Sequence, residues 1–265
     1  MRFLLRFTRI IRLLATCTSS LFSYLVKGRG HSDLLKAEWA HELAVKIVRI
    51  LRIDLITRGN YPTAGMITCN HMSYLDILVI LAHAPAIFVA KREVRDWPLV
   101  GGLAKLAGTR FIDRSKKSQV KQLNEEIETL LVQGVRVVVF PEGTTTDGSE
   151  VKPFHPSLLS NVAKRKKNPA QWPVCPAGLR YFCDDAVVAE KICFWKEMDF
   201  APHFFNLLGI PYITARIRFG QSSIVECNRK QLAKRLHAAV GALAGTPMRL
   251  RQLGKENHLQ YRAIA

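Results

Sequence analysis

The sequence lacks a long apolar segment that is free of charge. Nowhere in its 265 residues do apolar side chains continue for about 18 to 20 positions without a charged residue, as a membrane-spanning helix requires. A polytopic membrane protein is therefore excluded. The six cysteines form no Cys-x-x-Cys pair and show no metal-ligand spacing, so we interpret them as reduced thiols and predict no metal site.

Acidic residues are scarce, with 21 Asp and Glu against 39 Lys and Arg, which gives a formal net charge of +18. Such an excess of positive charge says little about the fold but indicates the kind of partner. The candidates are nucleic acid, acidic substrates and an anionic lipid surface. The sequence has no RNP or zinc-finger signature, and its aromatic residues are not interleaved with basic ones in one patch. We therefore expect no nucleic-acid partner. A hydrophobic content of 48% is enough for a globular core.

Arginines recur every three or four residues at the N-terminus. Arg2, Arg6, Arg9 and Arg12 share one face of a helix whose other face is broadly apolar. This pattern is typical of a helix lying in a membrane interface, with its arginines among anionic headgroups. A signal peptide, a short spanning segment and an ordinary core helix remain alternatives. A second helix is predicted over 33–53, which gives an N-terminal membrane-associated helical hairpin.

From about residue 54, short β-branched runs alternate with helical stretches, which predicts an α/β fold with a mixed, mostly parallel sheet covered by helices. The predicted strands are 65–69, 86–90, 109–113, 135–140, 174–181 and 212–219. The predicted helices are 73–83, 94–106, 118–133, 157–167 and 229–244. We divide the chain into N-terminal amphipathic helices (1–55), an α/β domain (56–225), and a C-terminal helix and tail (226–265).

Reactive side chains follow the first of these strands, where Asn70, His71 and Asp76 occur within a few residues. A straight helix would separate His71 from Asp76 by about 140°, so they meet only if His71 lies at the corner between strand and helix. There the carboxylate can accept a hydrogen bond from one imidazole nitrogen and leave the other as a general base. A single His and Asp near a turn are more often structural. Covalent catalysis by Cys69 is not expected.

A second reactive segment follows the strand predicted over 135–140. It reads Phe140-Pro141-Glu142-Gly143-Thr144 and is dense in backbone N–H donors and hydroxyl groups. In α/β proteins, ligands bind at the carboxyl ends of the strands, where this loop would lie. Taken alone, the loop is equally consistent with a surface turn.

Together, the two segments resemble the glycerolipid acyltransferase family, which includes the 1-acylglycerol-3-phosphate acyltransferases. The pattern Asn70-His71-x4-Asp76 precedes Phe140–Thr144 in the family's order. Between them, Phe111-Ile112-Asp113-Arg114 is similar to the family's second block. Val174-Cys175-Pro176-Ala177 is a looser match to its fourth block, in which Pro176 is the characteristic residue.

The resemblance implies transfer of a fatty acyl group from acyl-CoA or acyl carrier protein to the hydroxyl of a lysophospholipid such as 1-acylglycerol-3-phosphate, in phospholipid biosynthesis. No metal or organic cofactor is implied. His71 would deprotonate the acceptor hydroxyl, and Asp76 would orient the imidazole and stabilise its charged form. Backbone N–H groups near Gly143 are candidates for stabilising the oxyanion.

The resemblance also implies a set of substrate-binding residues. Glu142 would either contact the acceptor or support its loop, and Thr144 lies beside it. Arg114 and Lys91 would supply positive charge for the acceptor phosphate. Asn70, Phe140, Pro141 and Pro176 would support the motifs.

One departure leaves the acceptor open. Thr145 stands where phosphatidic-acid-forming members usually have arginine. This form is more similar to members that act on lyso-ornithine lipid, or on lysophospholipids with larger headgroups such as choline or ethanolamine. We favour lysophosphatidic acid because Arg114 and Lys91 still supply positive charge. A more distant alternative is a non-enzymatic basic protein that binds membranes or nucleic acid.

The expected location is the cytoplasmic membrane, with peripheral or monotopic attachment and the active site facing the cytoplasm. The expected partners are the lysolipid acceptor, the acyl donor and an anionic membrane surface. The oligomeric state is left open.

Overall fold

The computed structural model describes residues 2–28, 32–97, 99–113, 117–164, 170–183 and 191–245. Its α-helices are α1 (Arg2–Val26), α2 (Asp33–Leu51), α3 (Leu75–Leu81), α4 (Val100–Leu106), α5 (Lys117–Val132), α6 (Phe200–Leu207) and α7 (Arg229–Ala244). Its strands are β1 (Ile53–Arg58), β2 (Met66–Cys69), β3 (Ile87–Lys91), β4 (Arg110–Ile112), β5 (Val137–Val139), β6 (Val174–Phe182) and β7 (Ile213–Phe219). Short 3-10 helices cover Arg92–Asp96 and Pro156–Leu159.

The strands form one seven-stranded sheet in the order β1-β7-β6-β2-β5-β3-β4. Every neighbouring pair is parallel except β6 and β7, which are antiparallel. One hydrophobic cluster contains side chains of α1, α2, α3 and α6, and a second contains side chains of α5 and α7. The central strands β2 and β5 are buried throughout, as parallel strands with both faces covered are. The predicted α/β class with a mixed, mostly parallel sheet is confirmed.

The register of the sheet brings the two sequence motifs to the same edge. β2 lies beside β5, with Thr68 opposite Val139, and both strands run in the same direction. The segments that begin at Asn70 and Phe140 therefore leave the sheet next to each other. Strand pairing thus places the two motifs in one region, although they are far apart in sequence.

Strand β1 was not predicted, because the end of α2 lacks the usual glycine signal. Arg52 adopts the left-handed conformation, with a φ of 54°, and its N–H bonds back to Arg49 and Val48. Glycine is the residue that most often occupies this position. The helix ends at Leu51 instead of 53, and the domain boundary predicted after residue 55 falls inside β1. The division into domains otherwise stays a prediction.

Two helix predictions need correction. The helix predicted over 94–106 is a 3-10 helix at Arg92–Asp96 followed by α4, and Trp97 between them is extended, as residues before proline prefer. The helix predicted over 157–167 is wrong for its described part, because after the 3-10 turn ends at Leu159 the chain forms a β-bridge between Ala163 and Val225. Its last residues, 165–167, lie outside the described residues. Helix α6 was not predicted.

Helix α1 does not place all its arginines at the surface. Arg9 is buried, and its guanidinium donates to the backbone oxygens of Leu51, Leu208, Ile210 and Pro211 at 2.5–3.0 Å. The first two oxygens lie at the C-terminal ends of α2 and α6, where helices attract positive charge. The expectation that the arginines lie among headgroups is therefore wrong for Arg9.

Arg6, like Arg9, faces the rest of the protein, whereas Arg12 is exposed. Arg6 contacts the carbonyl oxygen of the Asn206 side chain at 3.3 Å and lies over the ring of Phe205. Nine apolar residues form an exposed stripe along α1, namely Phe3, Leu4, Phe7, Ile11, Leu14, Leu21, Phe22, Leu25 and Val26, whereas Ile10 and Leu13 pack against the core. Over the part of the chain that the structure describes, no helix combines the length and the apolar character needed to cross a bilayer.

Candidate active site

His71 and Asp76 meet at the corner between β2 and α3. His71 lies in the turn after the strand ends, and Asp76 is in the first turn of the helix. His71 Nδ1 is 2.7 Å from Asp76 Oδ2. The Asp76 side chain is fully buried, whereas 19% of the His71 side chain is exposed. The imidazole is thus oriented from the protein interior and open to solvent on its other side.

Further hydrogen bonds fix the Asp76 carboxylate. Oδ2 also accepts from the backbone N–H groups of Met72 and Ser73, at 2.7 and 3.0 Å. Oδ1 accepts from the Tyr181 hydroxyl at 2.8 Å. Because a carboxylate only accepts hydrogen bonds, we assign the His71 proton to Nδ1, which leaves Nε2 with a free lone pair. This is the arrangement of a general base.

Glu142 holds the two motifs together through backbone donors. Its Oε1 accepts from the His71 N–H at 2.6 Å, and its Oε2 accepts from the Lys152 N–H at 2.7 Å. The residue is only 3% exposed. Burial raises the pKa of the Glu142 carboxyl, although the two N–H donors and the nearby His71 act in the opposite direction. Since both oxygens are engaged, this geometry favours a supporting role for Glu142.

The loop after β5 contacts both the imidazole ring and the backbone carbonyl of His71. The Phe140 ring stacks on the imidazole with centroids 4.0 Å apart and planes only 7° from parallel. Thr146 donates to the His71 carbonyl oxygen from its N–H at 2.9 Å and from its hydroxyl at 3.2 Å. Gly143 has a φ of 76°, which favours glycine, and its N–H donates to the Phe140 carbonyl. The loop is therefore a tight turn against the histidine.

The other motif residues support the backbone. The Asn70 amide donates to the Leu179 carbonyl at 3.0 Å and accepts from the Leu179 N–H at 2.8 Å, so its side chain extends the pairing of β2 with β6. Pro141 is buried at the start of the loop, and Pro176 lies within β6 opposite Thr68. Among the described residues, the His71 imidazole is hydrogen-bonded to Asp76 and stacked on Phe140, and none of these three side chains hydrogen-bonds to it.

The predicted cations lie at the periphery or outside the described part of the chain. Lys91 is the last residue of β3, at the same carboxyl edge of the sheet, and its side chain is exposed. Arg114 lies outside the described residues. Thr144 is partly buried and directly follows Gly143. The structure thus brings His71, Asp76 and Glu142 together and leaves Lys91 open to solvent.

Cys69 is poorly suited to be a nucleophile, because its side chain is fully buried. Burial, together with the nearby charges of Asp76 and Glu142, raises the pKa of its thiol well above the ordinary value. The thiolate is the reactive form, and it is disfavoured here. Within the described ranges, no three His, Cys, Asp or Glu side chains group closely enough to hold a metal ion.

Sequence reasoning missed two residues of this site, Tyr181 and Thr146. Thr146 lies beyond the motif in the same loop, and its contact with His71 depends on the path of the loop. Tyr181 was predicted only as the end of a strand. The two-residue period of β6 puts it on the same face as Leu179, whose backbone pairs with Asn70. This two-residue period could have identified Tyr181 as a site residue from the sequence.

Comparisons with known proteins agree with this fold and show the family to which the chain is similar. A family model described as Acyltransferase matches residues 52–180. The lyso-ornithine lipid O-acyltransferase of Brucella abortus (strain 2308) is 32% identical over 237 residues, which cover 84% of this chain and 87% of that protein. The 1-acyl-sn-glycerol-3-phosphate acyltransferase of Neisseria gonorrhoeae is 32% identical over 145 residues, which cover 51% and 55%.

A solved structure shares the fold. The 1-acyl-sn-glycerophosphate (LPA) acyltransferase PlsC from Thermotoga maritima superposes with a TM-score of 0.64, over 99% of this chain and 100% of that one. Its sequence is only 17% identical, so this likeness concerns the fold alone.

Proposed function

This chain belongs to the Acyltransferase family, and we propose that it transfers a fatty acyl group from a thioester donor to the hydroxyl of a lysolipid. The donor is acyl-CoA or acyl carrier protein, and the favoured acceptor is 1-acylglycerol-3-phosphate. The observation that carries the proposal is the 2.7 Å contact between His71 Nδ1 and the buried carboxylate of Asp76. Membership of an enzyme family also argues against a non-enzymatic basic protein.

The proposed reaction forms an ester bond to the acceptor oxygen and breaks the thioester C–S bond. His71 Nε2 takes the proton from the acceptor hydroxyl as its oxygen attacks the thioester carbonyl carbon. The tetrahedral intermediate collapses and expels the thiolate of the donor. The imidazolium then gives the proton, which came from the acceptor hydroxyl, to this thiolate. Asp76 stabilises the imidazolium while the proton is held there. No covalent enzyme intermediate is needed, in keeping with the buried Cys69.

The oxyanion of the intermediate needs donors close to His71. The N–H of Gly143 is engaged by the Phe140 carbonyl at 3.1 Å. The following N–H groups, of Thr144 and Thr145, have no hydrogen-bond partner among the described residues. We assign the oxyanion to these two donors, because preorganised backbone N–H groups stabilise such charge effectively.

The acceptor headgroup would lie at the carboxyl edge of the sheet. Lys91 is exposed there and supplies a positive charge for a phosphate. Arg114 remains a proposed second cation from the sequence motif. Glu142 is assigned to supporting the loop, since both its oxygens bind backbone N–H groups.

Lyso-ornithine lipid is a second candidate acceptor, favoured by one specific comparison. The relative matched over 84% of this chain carries that activity in its name, whereas the Neisseria phosphate-accepting relative matches over 51%. Thr145, in place of the usual arginine, also removes one positive charge from the loop. Both acceptors present a hydroxyl to the same base, so the chemistry is unchanged.

Attachment to the cytoplasmic face of the membrane is part of the proposal. Helix α1 turns Arg6 and Arg9 toward the protein and its apolar stripe outward. We infer that the stripe lies in the acyl region of one leaflet, so apolar contact provides the attachment and the remaining exposed cations favour anionic lipid. Arg12, which is exposed, is one such cation.

A direct assay tests the proposed function. Purified full-length protein is incubated with acyl-CoA or acyl carrier protein and, in turn, with lysophosphatidic acid, lyso-ornithine lipid, lysophosphatidylcholine and lysophosphatidylethanolamine. Product formation with lysophosphatidic acid at the highest kcat/KM supports the favoured acceptor. A higher value for lyso-ornithine lipid supports the second candidate. Absence of acylation with every pair of substrates contradicts the proposal.

A further inference from the structure

We propose that Tyr181 is a positioning residue for the acyl transfer, and that its hydroxyl fixes the Asp76 carboxylate in the orientation that holds His71 with Nε2 free. The inference rests on the proposed function for its kinetic consequences. The contact itself is a property of the folded chain and can be measured without substrate.

The Asp76 carboxylate has a donor on each oxygen. Oδ2 accepts from His71 Nδ1 and from the N–H groups of Met72 and Ser73, and Oδ1 accepts only from Tyr181 among the described residues. The two oxygens of a carboxylate are equivalent, so a half-turn restores the same contacts, whereas a smaller rotation lengthens the bonds on both oxygens at once. Tyr181, as the donor on the side opposite His71, therefore helps to hold the plane of the carboxylate.

Burial makes this one hydrogen bond important. Asp76 is fully buried and Tyr181 is only 6% exposed, so water cannot replace the phenol as a donor. A buried carboxylate oxygen without a donor is costly, and without Tyr181 the carboxylate would turn toward other donors. The contact to His71 Nδ1 would then lengthen.

Tyr181 stays a donor over the whole working pH range. Burial, together with the charge of nearby Asp76, raises the pKa of the phenol well above its ordinary value. The other titratable groups around it are the thiols of Cys69 and Cys193, and Glu142 lies close to Asp76 from the loop after β5. A substitution at Tyr181 leaves these three groups in the chain, so the Tyr181–Asp76 contact can be perturbed without removing any of them.

Tyr61 offers a matched control. It is largely buried, and its hydroxyl has no hydrogen-bond partner within the described residues. Changing Tyr61 to Phe removes the same oxygen from the interior without removing a hydrogen bond. Any loss that is specific to the Tyr181 variant then reflects the contact to Asp76.

The kinetic test is a double-mutant cycle. We expect Tyr181→Phe to lower kcat about tenfold, with KM within twofold of wild type, because a hydrogen bond to a charged group is lost. In an Asp76→Asn background the same substitution should change kcat less than twofold. Tyr61→Phe should leave kcat unchanged. A kcat within twofold of wild type for Tyr181→Phe, or an equal loss in both backgrounds, would overturn the proposal.

A second measurement keeps the fold intact and needs no substrate. Site-specific incorporation of 3-fluorotyrosine at 181 strengthens the phenol as a donor and draws charge from Asp76. The His71 Nδ1–H proton signal at a fixed pH, identified by its loss in His71→Gln, should then move upfield, because Asp76 accepts less strongly from it. An unchanged signal would overturn the proposal. If wild type fails to acylate every acceptor while the signal moves, the proposed function fails and the positioning role stands.

Discussion

His71 and Asp76 are held in one hydrogen-bond arrangement although they lie five positions apart across a turn. The Asp76 Oδ2 atom is 2.7 Å from His71 Nδ1 and also caps the N–H groups of Met72 and Ser73. The same carboxylate therefore shapes the turn and orients the imidazole of His71. Substitutions at this position test both roles.

Asp76→Asn should reduce kcat by at least about 10²-fold. The amide oxygen can still accept from the backbone donors, so the turn is retained, but no negative charge remains to stabilise the His71 imidazolium. Steady-state kinetics with thermal unfolding as a check on folding measures the effect. Asp54→Asn, on an exposed position of β1, is the control and should be silent. A rate within tenfold of wild type would argue against the dyad.

Glu142→Gln should lower the free energy of unfolding by about 1–3 kcal/mol. Each carboxylate oxygen accepts a hydrogen bond from one backbone N–H, and the amide has only one oxygen to accept such a bond. Activity should fall as well, since one of those donors is the His71 N–H. Urea unfolding at pH 7 measures the change in stability. Glu150→Gln is a control in the same loop, where the side chain is exposed. Equal stabilities for the two variants would contradict the supporting role.

Arg9→Met should destabilise the docking of α1, because four backbone oxygens lose their donor in a buried site. The expected loss in the free energy of unfolding is about 1–3 kcal/mol. Limited proteolysis should release α1 faster, and urea unfolding measures the energy. Arg12→Met removes an exposed arginine from the same helix and should change the stability by less than about 0.5 kcal/mol. Similar losses for both variants would mean that the buried contacts do not matter.

Membrane binding should depend on the outward apolar stripe of α1. Ile11→Ser should reduce the partition coefficient into phosphatidylglycerol-containing vesicles about tenfold, since burial of such a side chain contributes about 1.5–3 kcal/mol. Ile224→Ser is the matched control, because Ile11 and Ile224 are 50% and 51% exposed. Co-sedimentation with vesicles measures both. Equal binding of the two variants would place the membrane contact elsewhere.

The predictable parts of this molecule are those encoded by local patterns. Helix α7 begins at Arg229 and ends at Ala244 as predicted, because its apolar period lies between an Asn228 cap and Gly245. The meeting of His71 with Asp76 follows from the corner geometry that the spacing required. Strand β1 was missed because Arg52 ends α2 in the left-handed conformation, which is usually adopted by glycine, so the sequence carries no glycine signal there.

Other features depend on tertiary contacts that no local pattern contains. The helical period places Arg9 on a polar face, but only the folded chain shows that carbonyl groups from two distant segments, at Leu51 and at 208–211, surround it. The contact of Tyr181 with Asp76 likewise depends on the register between β2 and β6. The sequence left open whether Glu142 contacts the acceptor or supports its loop, because a carboxylate can bind either a substrate or backbone N–H groups. Only the folded geometry distinguishes the two.

The most direct test of the account is the acyl-transfer rate of His71→Ala, measured with the best acceptor and compared with wild type under saturating donor. Loss of the general base should lower the rate at least about 10²-fold while the thermal unfolding temperature changes little. His155→Ala removes an exposed imidazole from the neighbouring loop and should keep the wild-type rate. A His71→Ala enzyme that retains more than a tenth of the wild-type rate would contradict the assignment of His71 as the base.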